Sequence, residues 1–293
     1  MVACPRAKAS TYHPSDRRRP SVFERITRAQ RLLPSRTVPT PADFDREFAA
    51  VTMSATYRRL EREALGDDYA EGIDPYSFTT PSELDLIAGL LEIGPGVTLV
   101  DIACGQGGPG LWIAQRTGVN LIGVDFSPIG VAQAEKRAAA MSLSDRALYV
   151  VADAAATGLP SADGGAAMSI DALQMMPDRA AVLEEIHRIL RVDARFALTT
   201  WEPRAGDPDK SENANNQPLR TLLQGAGFNV ELYQTTPGWR RIAKALYEGW
   251  LREKELLVAE MGAENYAPLE KEATESLPKI GEDERVLIVS RAV

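Results

Sequence analysis

A glycine-rich segment, LVDIACGQGGPG between Leu99 and Gly110, holds the residue pattern with the clearest chemical use in the chain. Its Gly105-x-Gly107-x-x-Gly110 spacing matches the fingerprint of a loop that binds the phosphates of a dinucleotide. Such a loop follows a strand and opens a helix, so its backbone N–H groups point at whatever binds at the strand end. Asp101, four residues before the first glycine, is an acid that this fingerprint does not require. The segment therefore predicts a ligand site and leaves the ligand open.

A second acid, Asp125, follows the first glycine by twenty residues, at the end of the apolar segment VNLIGVDFS. A carboxylate in that position can accept hydrogen bonds from both hydroxyls of a ribose. NAD and S-adenosylmethionine both contain an adenosine. The glycine loop and this acid together therefore predict an adenosine ligand and do not separate the two.

Two further observations favour S-adenosylmethionine over NAD. The carboxylate of Asp101 attracts positive charge, and S-adenosylmethionine carries an ammonium and a sulfonium, whereas the pyrophosphate of NAD would be repelled. In VVADAAATGLP, Asp153 can accept from the N6 amine of adenine while the N–H of Ala154 donates to a ring nitrogen. For Asp101 the alternative is a structural brace, because an acid near a helix N-terminus stabilises the helix dipole without touching a ligand.

The elements that must position these residues alternate between strand and helix. Short apolar segments typical of buried parallel strands are VTLVDIA, VNLIGVDFS, ALYVVAD, GAAMSIDA and ARFALTTWE. Helical spacing separates most of them, as in GGPGLWIAQRTG, PIGVAQAEKRAAAM and PDRAAVLEEIHRILR. We also predict a helix over residues 41–65, a long helix in GWRRIAKALYEGWLREKELLVAEMG and a final strand RVLIVSRAV. This alternation predicts an α/β protein with a doubly wound parallel sheet.

Five segments, in this order, resemble the motifs of the class I S-adenosylmethionine-dependent methyltransferases. VDIACGQGGPG is similar to the first motif, GVDFSPIGVAQAEKRA to the second, VVADAAATGLP to the third, and SIDALQMMPD, EIHRILR and RFALTTW to the fourth and fifth. The Gly107-Gly108-Pro109 variant is similar to that of enzymes that methylate small molecules such as sterols, tocopherols and microbial natural products. The resemblance covers about residues 75–235. It implies a Rossmann-like seven-stranded sheet, mostly parallel with an antiparallel last strand, and a helical lid.

The resemblance also implies a division of the chain. Residues 1–40 are predicted to be a basic extension, disordered because prolines interrupt it throughout. Its alternatives are a short helix that binds nucleic acid or anionic lipid, or an import sequence. Residues 41–95 are predicted to form an N-terminal helical lid. Residues 96–293 are predicted to form the S-adenosylmethionine-binding domain, with a helical insert at about 237–277.

The family motifs imply which residues hold the cofactor. Gly105 to Gly107 would wrap the methionine part, Asp125 would bind the ribose and Phe126 would lie along the adenine. Asp171 would face the methionine end and the acceptor. For the phenylalanines the alternative is core packing. The implied cofactor-binding residues are Tyr76, Phe78, Thr79, Asp101, Gly105, Gln106, Gly107, Asp125, Phe126, Ser127, Asp153, Ala154, Asp171 and Ala172.

The acceptor side is less defined. Methyl transfer from a sulfonium needs mainly the alignment of nucleophile, methyl carbon and sulfur. A base is needed only for an acceptor that arrives protonated, and the candidates are Asp171 and Tyr76. Aromatic rings suit a flat or cationic small molecule, although they can equally fix the insert to the core. The expected acceptor-binding residues are Gln174, Met175, Trp201, Trp239 and Tyr247.

The predicted function is therefore methyl transfer from S-adenosylmethionine to an oxygen, nitrogen or carbon nucleophile of a small, secondary-metabolite acceptor. Two alternatives stay open. One is an NAD(P)-dependent oxidoreductase, which the glycine spacing alone would allow. The other is a non-methylating relative that keeps the fold as a binding module.

Composition limits the partners. The chain has 293 residues, 44% of them hydrophobic, and a net charge of −8 at pH 7, as expected of a soluble globular protein. Residues 1–40 hold nine Lys and Arg against two Asp and Glu, so the rest is acidic, which argues against a nucleic-acid surface. Two cysteines, and no apolar run near the ~20 residues of a membrane span, predict a cytoplasmic protein without a membrane partner. We find no metal-ligand spacing, and the oligomeric state is left open.

Overall fold

The computed structural model describes residues 39–73, 76–203, 218–236 and 238–293. Its apolar segments pair into one seven-stranded sheet in the order β3-β2-β1-β4-β5-β7-β6. Neighbouring strands from β3 to β5 are parallel, and β7 is antiparallel to both β5 and β6. The predicted fold class is confirmed. The strands are β1 (Thr98–Ile102), β2 (Asn120–Asp125), β3 (Ala147–Val151), β4 (Gly164–Ile170), β5 (Leu190–Pro203), β6 (Phe228–Thr235) and β7 (Asp283–Ala292).

The described residues also form ten α-helices. These are α1 (Pro41–Met53), α2 (Ala55–Leu65), α3 (Pro81–Leu91), α4 (Gly108–Thr117), α5 (Pro128–Ala140), α6 (Arg179–Ile189), α7 (Leu219–Gly225), α8 (Trp239–Arg252), α9 (Lys254–Met261) and α10 (Ala263–Ser276). One core cluster joins the sheet to α3, α4 and α5, and a second joins it to α6 and α7. The sheet is therefore covered on both faces, which explains why its strands are apolar almost throughout.

A third core cluster lies outside the sheet and joins helices from the two ends of the chain. It contains Tyr57 and Leu60 of α2 together with Trp239, Leu246 and Trp250 of α8, all buried. The segments predicted as an N-terminal lid and a helical insert thus share one hydrophobic core. Each segment has an apolar helix face, and the two faces are buried against each other.

The helix predicted over residues 41–65 is in fact two helices, because Ser54 ends one and begins the next. Its backbone is extended, at φ −88° and ψ 115°, and its hydroxyl oxygen accepts from the N–H of Tyr57. The same hydroxyl donates to Glu260 over 2.5 Å. Serine favours this capping geometry over a helix interior. The long helix predicted after residue 238 is likewise broken, at Glu253.

Of the basic extension predicted over residues 1–40, residues 1–38 lie outside the described residues. Among the helices that the structure describes, none combines the length and the apolar character needed to cross a membrane. Within the same described ranges, no group of three or more His, Cys, Asp or Glu is arranged to hold a metal ion.

Candidate functional site

The predicted ligand residues meet at one edge of the sheet. The glycine loop follows β1, Asp125 is the last residue of β2, Asp153 comes two residues after β3, and Asp171 directly follows β4. Because these four strands are parallel, their carboxyl ends lie side by side. This is the edge at which open α/β sheets bind ligands.

Two glycines of the loop have steric reasons to be glycine. Gly107 has φ +76° and caps the N-terminus of α4, a conformation that strains other residues. A Cβ on Gly108 would lie 1.5 Å from the carbonyl oxygen of Ile73. The loop is therefore packed against the segment that precedes α3, and its backbone N–H groups at the start of α4 are held at the sheet edge.

Asp125 is tied to the glycine loop and is only 5% exposed. Its Oδ2 accepts from the N–H of Gly105 over 2.7 Å, and its Oδ1 accepts from the N–H of Ser127 over 2.8 Å. Burial raises the pKa of this carboxyl, and the two backbone hydrogen bonds oppose that rise. Each carboxylate oxygen has a second lone pair, so the group can still accept from two hydroxyls. These two acceptor oxygens fit the two hydroxyls of a ribose.

Asp153 and Ala154 lie near the surface of the same edge. The Asp153 side chain is exposed, and its Oδ1 accepts from the N–H of Ala155 over 2.8 Å. Ala154 is half-buried beside the second core cluster. An adenine reaching this end of β3 would find a carboxylate and a backbone N–H, as predicted from the sequence, although its contact with them stays a prediction.

Asp101 points to the start of α4. It is 2% exposed, and its carboxylate faces the backbone N–H of Gly110, which opposes the rise of its pKa. Burial, and then the nearby charge of Asp125, hold the pKa of Asp101 well above its usual range. This position favours a structural role for Asp101 at the start of α4. Its raised pKa argues against stabilisation of the helix dipole by a charge, and its contact with a cofactor stays a prediction.

Asp101→Asn should stabilise the protein at neutral pH. The raised pKa means that folding favours the protonated carboxyl, so Asp101 lowers stability progressively as pH rises from about 4 towards its folded-state pKa. Asparagine has the same shape and keeps an oxygen for Gly110. In urea unfolding from pH 5 to 8, the advantage of the variant over the wild type should grow with pH. An advantage that shrinks with rising pH would contradict the assignment.

Helix α1 lies directly on the glycine loop. A Cβ on Gly105 would be 3.2 Å from the Phe48 ring. The side-chain amide of Gln106 donates to the carbonyl of Phe48 over 3.1 Å and to the hydroxyl of Thr52 over 2.8 Å. Gln106 was predicted from family resemblance to contact the methionine part. In this structure its amide nitrogen is bonded to α1.

The same helix also contacts the residues after β2. The rings of Phe44 and Phe126 are 5.4 Å apart between centroids. Asp45 Oδ1 accepts from the hydroxyl of Ser127 over 2.5 Å and from the N–H of Ile129 over 3.1 Å. Asp45 therefore sits at the N-terminus of α5, where the helix dipole favours an anion. Sequence reasoning missed Asp45 because nothing in α1 itself indicates which helix end it faces.

The loop before α3 and the end of β4 are joined by an arginine of the last strand. Asp171, buried and at φ +52°, accepts from Nε of Arg285 over 2.9 Å and from the N–H of Phe78 over 3.3 Å. Phe78 and Asp171 were both predicted site residues, and the structure brings them together. Arg285 was not predicted. An arginine in the apolar strand RVLIVSRAV indicates a paired charge, but the strand does not indicate which acids of distant elements meet it.

Tyr76 is bonded to α1 as well. Its hydroxyl donates to Oε2 of Glu47 over 2.7 Å, and its ring packs edge-on against Phe48. Burial, followed by the charge of Glu47, raises the pKa of Tyr76 well above its usual range. The phenol therefore stays protonated at neutral pH, and it could take up a proton only by passing its own to Glu47.

The aromatic residues predicted for the acceptor lie together with Phe78. Its ring centroid is 5.6 Å from that of Trp201 and 5.7 Å from that of Tyr247, and Trp239 contacts Trp201 at 6.0 Å. Trp239 and Tyr247 are buried in the third core cluster. This burial favours the interpretation that they fix the insert to the core, and their contact with an acceptor stays a prediction.

The other two predicted acceptor residues follow Asp171. Gln174 is half-buried, and its amide oxygen accepts from the hydroxyl of Thr200 over 2.9 Å. Its amide nitrogen donates to the carbonyl of Asp171. Met175 is 41% exposed. Gln174 thus supports the turn after β4, while Met175 lies at its surface.

The sheet order and the position of the glycine loop define a Rossmann-like fold. Residues 99–193 match the family described as a methyltransferase domain. Over these residues the chain is thus similar to a methyltransferase domain, in agreement with the order of its motifs.

Curated relatives match the chain over part of their length. The chain is 34% identical to the 27-O-demethylrifamycin SV methyltransferase of Amycolatopsis mediterranei (strain S699) over 167 residues, which cover 55% of this chain and 59% of that protein. It is 32% identical to the chloroplastic tocopherol O-methyltransferase of Arabidopsis thaliana over 103 residues, 35% of this chain and 30% of that protein. The chain thus spans about three fifths of the first relative and less of the second.

Solved structures share the fold over most of the chain. The [4+2]-cyclase SpnF has a TM-score of 0.66 and 21% identity, covering 81% of this chain and 92% of its own. The cyclopropane synthase MmaA2 of Mycobacterium tuberculosis has a TM-score of 0.66 and 20% identity, covering 87% and 99%. At these identities the likeness establishes the fold alone.

Proposed function

We propose that this protein transfers a methyl group from S-adenosylmethionine to a small-molecule acceptor. The observation that carries the proposal is the set of groups at the carboxyl edge: the glycine loop after β1, Asp125 ending β2, and Asp153 and Asp171 after β3 and β4. The family match over residues 99–193 and the names of the curated methyltransferases support it. Neither those relatives nor the family is described as an oxidoreductase.

In the proposed complex the adenosine lies over β2 and β3, and the methionine part lies over the glycine loop towards β4. Asp125 accepts from the ribose hydroxyls, Asp153 and Ala154 meet the adenine edge, and Ser127 supports the loop after β2. When bound, S-adenosylmethionine supplies a methyl group attached to a sulfonium sulfur, and that sulfur is the leaving group, as a neutral sulfide. The work left to the protein is alignment of the acceptor, worth on the order of 7–11 kcal/mol.

Neither candidate base is free to act alone. Both oxygens of Asp171 accept from Arg285, so this carboxylate is already committed to a buried ion pair. The Tyr76 hydroxyl is committed to Glu47. We therefore propose an acceptor whose nucleophile needs no strong base, or one that uses Tyr76 and Glu47 as a relay, with the phenol accepting one proton while it hands another to Glu47.

We infer that α1 moves when the cofactor binds. The pocket beside Gln106 and Tyr76 has a volume of about 30 Å³, well below the roughly 300–1,000 Å³ of a small-molecule site. Phe48 and the amide of Gln106 meet where the methionine part is proposed to lie. The helix is therefore a gate over the glycine loop in the described conformation.

Asp45→Ala should speed the association of S-adenosylhomocysteine about thirtyfold. The substitution removes the two hydrogen bonds that fix α1 to the start of α5, each worth about 1 kcal/mol. Stopped-flow fluorescence measures the rate, and Arg46→Ala, which breaks only exposed ion pairs of the same helix, is the control. An association rate no faster than wild type would contradict the gate.

The central test is binding followed by transfer. Calorimetry should detect binding of S-adenosylhomocysteine and no binding of NADH. Binding of NADH without binding of S-adenosylhomocysteine would establish the oxidoreductase alternative. Labelled methyl transfer is then measured against a panel of phenolic, hydroxylated and amine-bearing natural products. Tight cofactor binding with no transfer to any member would favour the non-methylating alternative. That alternative is retained because a [4+2]-cyclase shares the fold.

Place in the cell and acceptor contacts are part of the same proposal. We propose a cytoplasmic enzyme, supported by the free, buried thiol of Cys104 inside the glycine loop. We propose that nucleic acid is not a substrate, since the chain beyond residue 40 is acidic. We propose that Gln174, after β4, and Trp201, near the end of β5, contact a small acceptor.

A further inference from the structure

Arg285 is the centre of a buried charge cluster on the acceptor side of the sheet edge. It is 1% exposed, and its Nε donates to both oxygens of Asp171, over 2.9 and 3.1 Å. Its two terminal nitrogens donate to the two oxygens of Glu83, over 2.7 and 2.8 Å. One of them also donates to the hydroxyl of Thr236 over 2.9 Å.

Both carboxylates of this cluster hold the loop that precedes α3. Asp171 accepts from the backbone N–H of Phe78 over 3.3 Å. Glu83, in the first turn of α3, accepts from the hydroxyl of Thr79 over 2.7 Å. The loop with its predicted cofactor residues is thus joined through two acids to one arginine, which comes from the last strand of the chain.

The chemistry of the cluster requires arginine. Burial alone would lower the pKa of Arg285, but Asp171 and Glu83 raise it above its ordinary value. The cluster places one cation between two carboxylates, and a planar guanidinium can donate to two acids in different directions. An ammonium on a lysine cannot reproduce that fork. β7 is antiparallel to β5, so its first residues lie at the carboxyl edge of the parallel strands, opposite Trp201.

We propose that Arg285 is a positioning residue for the cofactor site. It fixes Phe78 and Thr79 against the end of β4 through Asp171 and Glu83, and thereby sets the affinity for the methionine half of S-adenosylmethionine. The proposal rests on the proposed function. It does not require Arg285 to touch the cofactor.

The test is Arg285→Lys, compared with Arg195→Lys. Arg195 also bridges two acids, Glu92 over 2.6 Å and Glu231 over 2.9 Å, but near the amino end of β5, away from the site. Both substitutions keep the charge and lose the fork. Calorimetry measures the dissociation constants of S-adenosylhomocysteine and of adenosine, which lacks the methionine part. Hydrogen exchange measures how fast the backbone amide proton of Phe78 exchanges with solvent.

Arg285→Lys should raise the dissociation constant of S-adenosylhomocysteine about tenfold, the effect of one charge-assisted hydrogen bond. It should leave that of adenosine within about twofold and speed exchange at Phe78. Arg195→Lys should change none of the three. If Arg285→Lys does not fold, Glu83→Gln tests the same link, because it leaves Arg285 and Asp171 as a one-to-one pair.

Two outcomes overturn the proposal. Equal weakening of both ligands would mean a general structural role, and unchanged affinity with unchanged exchange at Phe78 would mean no role. Failure of the wild type to bind S-adenosylhomocysteine would instead overturn the proposed function. Hydrogen exchange at Phe78 would then still decide whether Arg285 holds the loop.

Discussion

Asp125→Ala should raise the dissociation constant of S-adenosylhomocysteine by about two to four orders of magnitude. In the proposed complex this carboxylate accepts from both ribose hydroxyls, and each hydrogen bond to a charged group is worth about 1.5–3 kcal/mol. The substitution also leaves the N–H groups of Gly105 and Ser127 without their acceptor. Titration calorimetry measures the affinity, and thermal unfolding separates lost binding from lost structure.

Two matched variants sharpen the result. Asp125→Asn keeps one acceptor oxygen without the charge, so its affinity should fall between those of the wild type and the alanine variant. Asp145→Ala removes an exposed acid just before β3, at the amino end of that strand and therefore at the sheet edge opposite to Asp125. It should leave the affinity unchanged. An Asp125→Ala protein that is folded and binds as tightly as wild type would remove Asp125 from the proposed site.

The motif-bearing half of the molecule could be predicted because its signals are local. A strand, a glycine loop and a helix follow one another within about twenty residues, and parallel pairing then brings Asp125, Asp153 and Asp171 to one edge. Each of those positions follows from strand order alone. The antiparallel last strand could be predicted only through the family resemblance.

The packing of helices α1 and α2 against α8, α9 and α10 could not be predicted, because it depends on contacts between distant segments. Tyr57 of α2 stacks on Trp250 of α8 at 5.8 Å, and Glu260 of α9 holds Ser54 and Thr56 at the start of α2. Amphipathic spacing predicts that each helix has an apolar face and does not say which partner covers it. For the same reason Asp45 and Arg285 were not assigned roles, since both act on elements far away in the chain.

Gly108→Ala should destabilise the protein by about 3 kcal/mol or more, at the upper end of the cost of overpacking. The new Cβ would lie 1.5 Å from the carbonyl oxygen of Ile73, a backbone atom that cannot rotate away. That carbonyl is itself held, because Arg137 donates to it and to the carbonyl of Gly72, each over 2.7 Å. The collision must therefore move either the start of α4 or the segment before α3, and both border the candidate site.

The matched control for this substitution is Gly89→Ala, within helix α3. A Cβ there would meet nothing within 4 Å, and replacing a helical glycine by alanine stabilises a helix by up to about 1 kcal/mol. Chemical unfolding should therefore move the two variants in opposite directions from the wild type. Because Gly108 fixes the glycine loop that is proposed to hold the cofactor, the fraction of Gly108→Ala protein that remains folded should also bind S-adenosylhomocysteine more weakly. A Gly108→Ala protein as stable as wild type would mean that the segment at Ile73 is not packed against the glycine loop. The loop would then not be held in the position proposed for cofactor binding.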